Sequence, residues 1–142
     1  MRETILCCVL LSLFTVGCAA DDGKAKVYPV SGKVVVKGQP ADGARVVFYP
    51  AAPDAVEKKL PSPAGETDAT GQFQLQSYEP DDGAPLGDYK VSVTWLEPPP
   101  ANAQGIFDQK DRLGGRYSNP DKSKLTAHVD KGGGEIPAFE IQ

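Results

Sequence analysis

Residues 89–95 read Tyr89-Lys90-Val91-Ser92-Val93-Thr94-Trp95, apolar and polar side chains in strict alternation. A period of two places Tyr89, Val91, Val93 and Trp95 on one face of a strand and Lys90, Ser92 and Thr94 on the other, one face dry and one wet. The same period spreads in both directions. Upstream, Val30, Gly32, Val34 and Val36 alternate with Ser31, Lys33 and Lys37; Ala44, Val46 and Phe48 with Arg45, Val47 and Tyr49; Phe73 and Leu75 with Gln72, Gln74 and Gln76. Downstream, Leu125, Ala127 and Val129, then Phe139 and Ile141, repeat it, and a short strand is expected near residues 64–67. The breakers between these runs are Gly, Pro and Asp, and no segment carries the period of an amphipathic helix. About seven strands without helices close most economically as an all-β antiparallel Greek-key sandwich. Two local expectations accompany that fold. Asp68 should bond the backbone of its own turn, and Tyr89 should bury its ring and set its hydroxyl on a nearby backbone group, as tyrosine corners do.

Ahead of the alternating region, residues 5–16 form an apolar run of about twelve, well short of the roughly 20 that a bilayer-crossing helix needs but suited to a secretory leader. The run ends at Thr15-Val16-Gly17-Cys18. That tetrapeptide resembles the lipobox cut by the lipoprotein signal peptidase, a small residue before an obligatory cysteine, with Thr15 where Leu is usual. The resemblance implies a signal peptide over 1–17 and a diacylglycerol thioether and an acylated amino group on Cys18. This covalent lipid is the one cofactor expected, and several acyl chains on one residue hold stably where a single chain holds marginally. In lipoproteins of two-membrane bacteria an Asp directly after the cysteine tends to retain the protein in the inner membrane. Ala19 stands there, so the resemblance implies a cell-envelope protein of the outer rather than the inner membrane. Residues 18–26 are small, polar and aperiodic, a lipidated cysteine and flexible stalk, with the domain occupying 27–142.

Composition agrees with export. The 3 cysteines are Cys7, Cys8 and Cys18, so the domain has no pair to oxidise and must rest on an ordinary apolar core. Removing 17 residues from 142 leaves 125, enough for one domain. The formal charge is -4, with scattered acids and no basic run, which argues against a nucleic-acid partner.

Four segments in order carry a further resemblance: Pro29-Val30-Ser31-Gly32-Lys33-Val34, residues 38–46, Thr67-Asp68-Ala69-Thr70-Gly71-Gln72-Phe73, and Pro85-Leu86-Gly87-Asp88-Tyr89-Lys90-Val91-Ser92-Val93. Together they look like the carboxypeptidase regulatory-like domain, a transthyretin-like (prealbumin-like) sandwich. Residues 117–126 and the closing strand resemble a group of small bacterial lipoproteins built on it. The resemblance implies a fold and a location; the family has no single activity to lend.

Candidate chemistry is sparse. Hydrolases of the transthyretin-related type need several histidines and a characteristic C-terminal tetrapeptide, and intradiol dioxygenases need two His and two Tyr on iron. This chain has His128 alone and ends Phe139-Glu140-Ile141-Gln142. His128 alternates with Ala127 and Val129 on a presumed solvent face, which suits a surface histidine better than a base. Asp81, Asp82 and Asp88 lack the spacing of a calcium loop. Lys33 and Glu66 could begin an isopeptide bond, but the closing strand offers no Asn or Asp. No catalytic and no metal-binding residues are therefore assigned. Residues 97–124 form a long loop that opens with Pro98-Pro99-Pro100, and loops of that length are usually functional or disordered. It either covers a sheet edge with Phe107, Leu113 and Tyr117, or offers Arg112, Arg116 and Tyr117 as a contact surface. The function expected is a membrane-anchored, non-enzymatic interaction or structural module that contacts an envelope protein or glycan. The alternative is a cryptic enzyme or small-solute-binding protein whose site is formed by the 97–124 loop. Trp95, in phase with the strand, is expected in the core.

Overall fold

A computed structural model describes residues 22–105 and 108–142 of the chain. The leader over 1–17, Cys18, the first residues of the expected stalk and Phe107 lie outside the described residues.

The described chain is nearly all β. Its strands are β1 (Val27–Tyr28), β2 (Val30–Val36), β3 (Gln39–Pro40), β4 (Arg45–Pro50), β5 (Ala64–Glu66), β6 (Gln72–Gln74), β7 (Ala84–Pro85), β8 (Gly87–Thr94), β9 (Leu125–Val129), β10 (Gly134–Glu135) and β11 (Phe139–Ile141), with one short helix, α1 (Pro120–Ser123). Eleven strands therefore stand where about seven are expected. The additions are the two-residue strands β1, β3, β7 and β10, too short for alternation to announce.

One sheet runs β5-β4-β8-β9, antiparallel throughout. The other is built on β2, and here the antiparallel expectation is corrected. β6 and β3 pair with β2 antiparallel, but β10 and β11 run parallel to it. Alternation tells which face of a strand is buried, not the direction of its neighbour, so this pairing leaves no mark on the pattern. β1 and β7 form a separate two-stranded ladder at the start of β2.

The dry faces of both sheets meet in a single core. Phe48 from the first sheet lies 6.3 Å from Phe73 and 6.1 Å from Phe139 of the second, edge to face in both cases, and 5.5 Å from Tyr89. Val34, Val46, Val91, Val93, Leu75 and Ile141 fill the space around these rings. The Tyr89 hydroxyl donates to the Pro85 carbonyl at 2.8 Å, so the expected corner is present. Burial pushes that phenol up to about 12, which keeps it protonated and donating. Asp68 closes its turn as expected, accepting from the Thr70 and Gln72 N–H groups and the Thr70 hydroxyl.

Register fixes two ends. Gly87 pairs with Val129 and Pro50 with Tyr89, so the starts of β2 and β8, the end of β4 and the 51–60 loop lie together at one end of the strands. Arg45 pairs with Thr94 at the other, which also carries the 38–43 turn and the root of the long loop.

Candidate functional site

The long loop leaves β8 at its far end and at once folds back on it. The Arg112 N–H donates to the Trp95 carbonyl at 2.7 Å, the Glu97 N–H to Lys110, and the Val93 N–H to Tyr117, while Leu96 and Asp111 form an antiparallel bridge. Residues 110–117 therefore line the edge of β8 beyond the point where β9 pairs with it. Leu113 is buried in the core and Tyr117 packs against it, which is the covering role; Phe107 lies outside the described residues. α1 completes the edge. The Asn119 side chain caps it through the Asp121 N–H, and the buried Ser123 hydroxyl donates to the Val91 carbonyl at 2.5 Å.

Asp111 organises the return. Its Oδ1 accepts the Trp95 and Leu113 N–H groups at 3.0 Å each, and its Oδ2 accepts the Gly115 N–H at 2.9 Å. Gly115 makes that bond with a φ of 72°, in the region that favours glycine. Sequence reasoning passes over Asp111 as one acid among several. The signal that could have found it is Asp111-Arg112-Leu113-Gly114-Gly115, an Asp followed by glycines where its carboxylate can gather backbone donors.

The three residues expected as a contact surface are held in two separate stacks. Arg116 lies over the Tyr117 ring at 5.6 Å and donates to the Gln142 carbonyl. Arg112 instead lies over Trp95 at 4.6 Å, while the indole N–H donates to the Asp42 carbonyl at 2.8 Å. The expected core placement of Trp95 holds in part. β8 ends at Thr94, and the half-buried ring packs against the core from the rim with one face covered by a guanidinium. Beside it, Leu96 is 41% exposed. An open hollow of about 580 Å³ runs from these side chains past Pro98 to Arg45, Glu66 and Asp42. The Arg45 side chain makes no hydrogen bond or ion pair among the described residues, and with the exposed Arg112 it gives the hollow a cationic lining beside Glu66, its cross-strand neighbour.

His128 belongs to the opposite end. Its Nδ1 is 2.6 Å from Asp88 and its Nε2 3.3 Å from Asp130, all well exposed. The hydrogen bond to Asp88 holds its pKa above the ordinary 6.5; desolvation opposes this, and the charges of Asp88 and Asp130 add to it. With both ring nitrogens within reach of carboxylates, the protonated form of the imidazole is favoured. Nearby, Tyr89, Ala127, Pro137 and Phe139 line a more apolar hollow of about 710 Å³ between the two sheets. Asp81, Asp82 and Asp88 do not converge. Asp82 instead caps its own turn, accepting the N–H groups of Ser77, Tyr78 and Glu79. Desolvation works to raise its pKa, but these three donors prevail and hold it below the ordinary 3.8. Among the described residues no group of three His, Cys, Asp or Glu side chains is arranged to hold a metal, and no helix is long and apolar enough to cross a membrane.

No protein-family model matches the chain, and no curated protein matches it. Among solved structures it is similar to a 9R-lipoxygenase from Cyanothece PCC8801, with a TM-score of 0.43 and 12% identity. That alignment covers 82% of this chain but spans 16% of the lipoxygenase chain, and a likeness this loose bears on neither fold family nor chemistry.

Proposed function

We propose that the chain is a lipoprotein of the cell envelope, anchored through lipid on Cys18, whose β domain is a non-enzymatic interaction module for an envelope protein or glycan. In this reading the two sheets form a Greek-key sandwich of the transthyretin-like type, similar to the carboxypeptidase regulatory-like domain. The outer membrane is favoured over the inner by Ala19. The observation that carries the interaction role is the Trp95 rim. An indole stacked by Arg112 joins two residue types that dominate the energy of contact surfaces, and Leu96 is exposed beside it. Cation–π stacking with an accessible guanidinium also leaves donors free for a carboxylate or a sugar hydroxyl. The hollow beside it supports the second reading, a small-solute site under the long loop, since its volume of about 580 Å³ is within the range such sites use.

A photo-crosslinking side chain introduced at Leu96 in living cells tests the choice. The interaction module predicts a discrete protein or glycan adduct that disappears in Arg112→Ala. Absence of any adduct, together with saturable uptake of a small solute by the purified domain, would select the second reading.

A further inference from the structure

The first described residues are not a free tether. The Ala25 N–H donates to the Tyr78 hydroxyl at 3.1 Å, and Lys24 lies over the same ring at 5.4 Å. β1 then pairs with β7, Val27 on Pro85 and Tyr28 on Ala84. Gly83 fixes that approach. A Cβ there would lie 1.7 Å from the Tyr28 carbonyl oxygen, so the chain is seated directly on the glycine. If Cys18 carries the lipid, as the proposed function holds, three residues separate it from Asp22. At roughly 3.3–3.6 Å per residue, the four steps from Cys18 to Asp22 reach no more than about 14 Å.

That short reach selects one end of the molecule. Among the described residues the exposed large apolar side chains are Val56 (91%), Leu86 (47%), Leu96 (41%) and Tyr49 (36%). Three of them share the end where the tether is seated. Leu86 follows the Pro85 that pairs with Val27, Tyr49 pairs with Lys90 near the start of β8, and Val56 tips the loop that follows β4. Charge at this end is mixed rather than cationic: Lys24 sits at Asp22, Lys58 at Asp54 and His128 between Asp88 and Asp130, and Lys26, Lys59 and Lys131, which make no ion pair among the described residues, are matched in number by Glu57, Glu79 and Asp81. We infer that this end is a membrane-facing surface, with Val56 and Leu86 resting in the interface of a phospholipid bilayer and the Trp95 rim directed away from it. This rests on the lipid-anchor reading. The rim lies at the far end of the eight-residue β8, on the order of 25 Å away at roughly 3.3 Å per residue. Apolar contact, not attraction to anionic headgroups, orients the domain.

Four variants of the full-length lipidated protein test it: Val56→Cys, Leu86→Cys, Leu96→Cys and Gln109→Cys. Each has one free thiol once Cys18 is a thioether and the leader is removed. Each is labelled with a fluorophore and reconstituted into vesicles carrying nitroxide lipid, of phosphatidylcholine alone or with added phosphatidylglycerol, with palmitate incorporation measured on the same sample. The expected result is quenching several-fold stronger at positions 56 and 86 than at 96 and 109, unchanged by high salt. Palmitate present with equal quenching at the four positions overturns the orientation and leaves the anchor standing. Quenching that needs anionic lipid and vanishes in high salt also overturns it. Absence of palmitate overturns orientation and anchor together.

Discussion

Asp111 shows how one carboxylate can shape a surface through its backbone contacts. It holds three backbone N–H groups from both arms of the loop, so Asp111→Ala removes the acceptor that ties those arms together. For a half-buried, charge-assisted set the expected loss is about 1–2 kcal/mol in urea unfolding. Asp111→Asn keeps the oxygen that serves Trp95 and Leu113, and should lose less than half as much. His128 gives a second residue-level prediction. Its folded-state pKa lies above 6.5, so its pairing with Asp88 contributes fully below that pH and is lost as pH rises through the folded value. An NMR titration of the single histidine should give a midpoint above 6.5 that falls in Asp88→Asn; an unmoved midpoint would refute the pairing. At this scale the sequence was readable where a side chain answers to its own strand, as for Tyr89, Phe48 and Phe73. It was readable only in part for Trp95, which packs against the core as its phase predicts but is half-buried because it stands one residue past the end of β8. It was not readable for Asp111, whose two local partners, Leu113 and Gly115, mark an ordinary turn and whose third, Trp95, lies sixteen residues away.

The edge of β8 is lined in turn by residues 110–117, α1 and β9, so the long loop is two things in one. Its return arm is part of the sheet, and its tip, between Glu97 and Gln109, is an appendage. Deleting residues 101–108 should leave the melting temperature within a few degrees of the parent. Deleting 101–113, which removes Asp111 and the buried Leu113, should lower it by roughly 10 °C or more, given about 2–5 kcal/mol for a buried leucine alone. Equal effects of the two deletions would refute the division. Alternation located the strands that became β2, β4, β6, β8, β9 and β11. It could not reveal that β10 and β11 run parallel to β2, because that direction follows from where the chain crosses between sheets after β9.

Across the whole molecule, the seated residues 24–28 and the Trp95 rim lie at opposite ends of the strands, an arrangement that would present the rim if the chain is anchored through Cys18 as proposed. Nothing in the core requires it; a sandwich would be as stable with its rim turned towards the lipid. The polarity is set by register and by the seat of residues 24–28 on Tyr78 and Gly83. It acquires meaning only if Cys18 is the point of attachment. Growth with radioactive palmitate, followed by fractionation of wild type and Cys18→Ser, tests that most directly. The account predicts label and membrane association in the wild type and loss of both in Cys18→Ser. An unlabelled wild type, or a Cys18→Ser protein that fractionates unchanged, would contradict it.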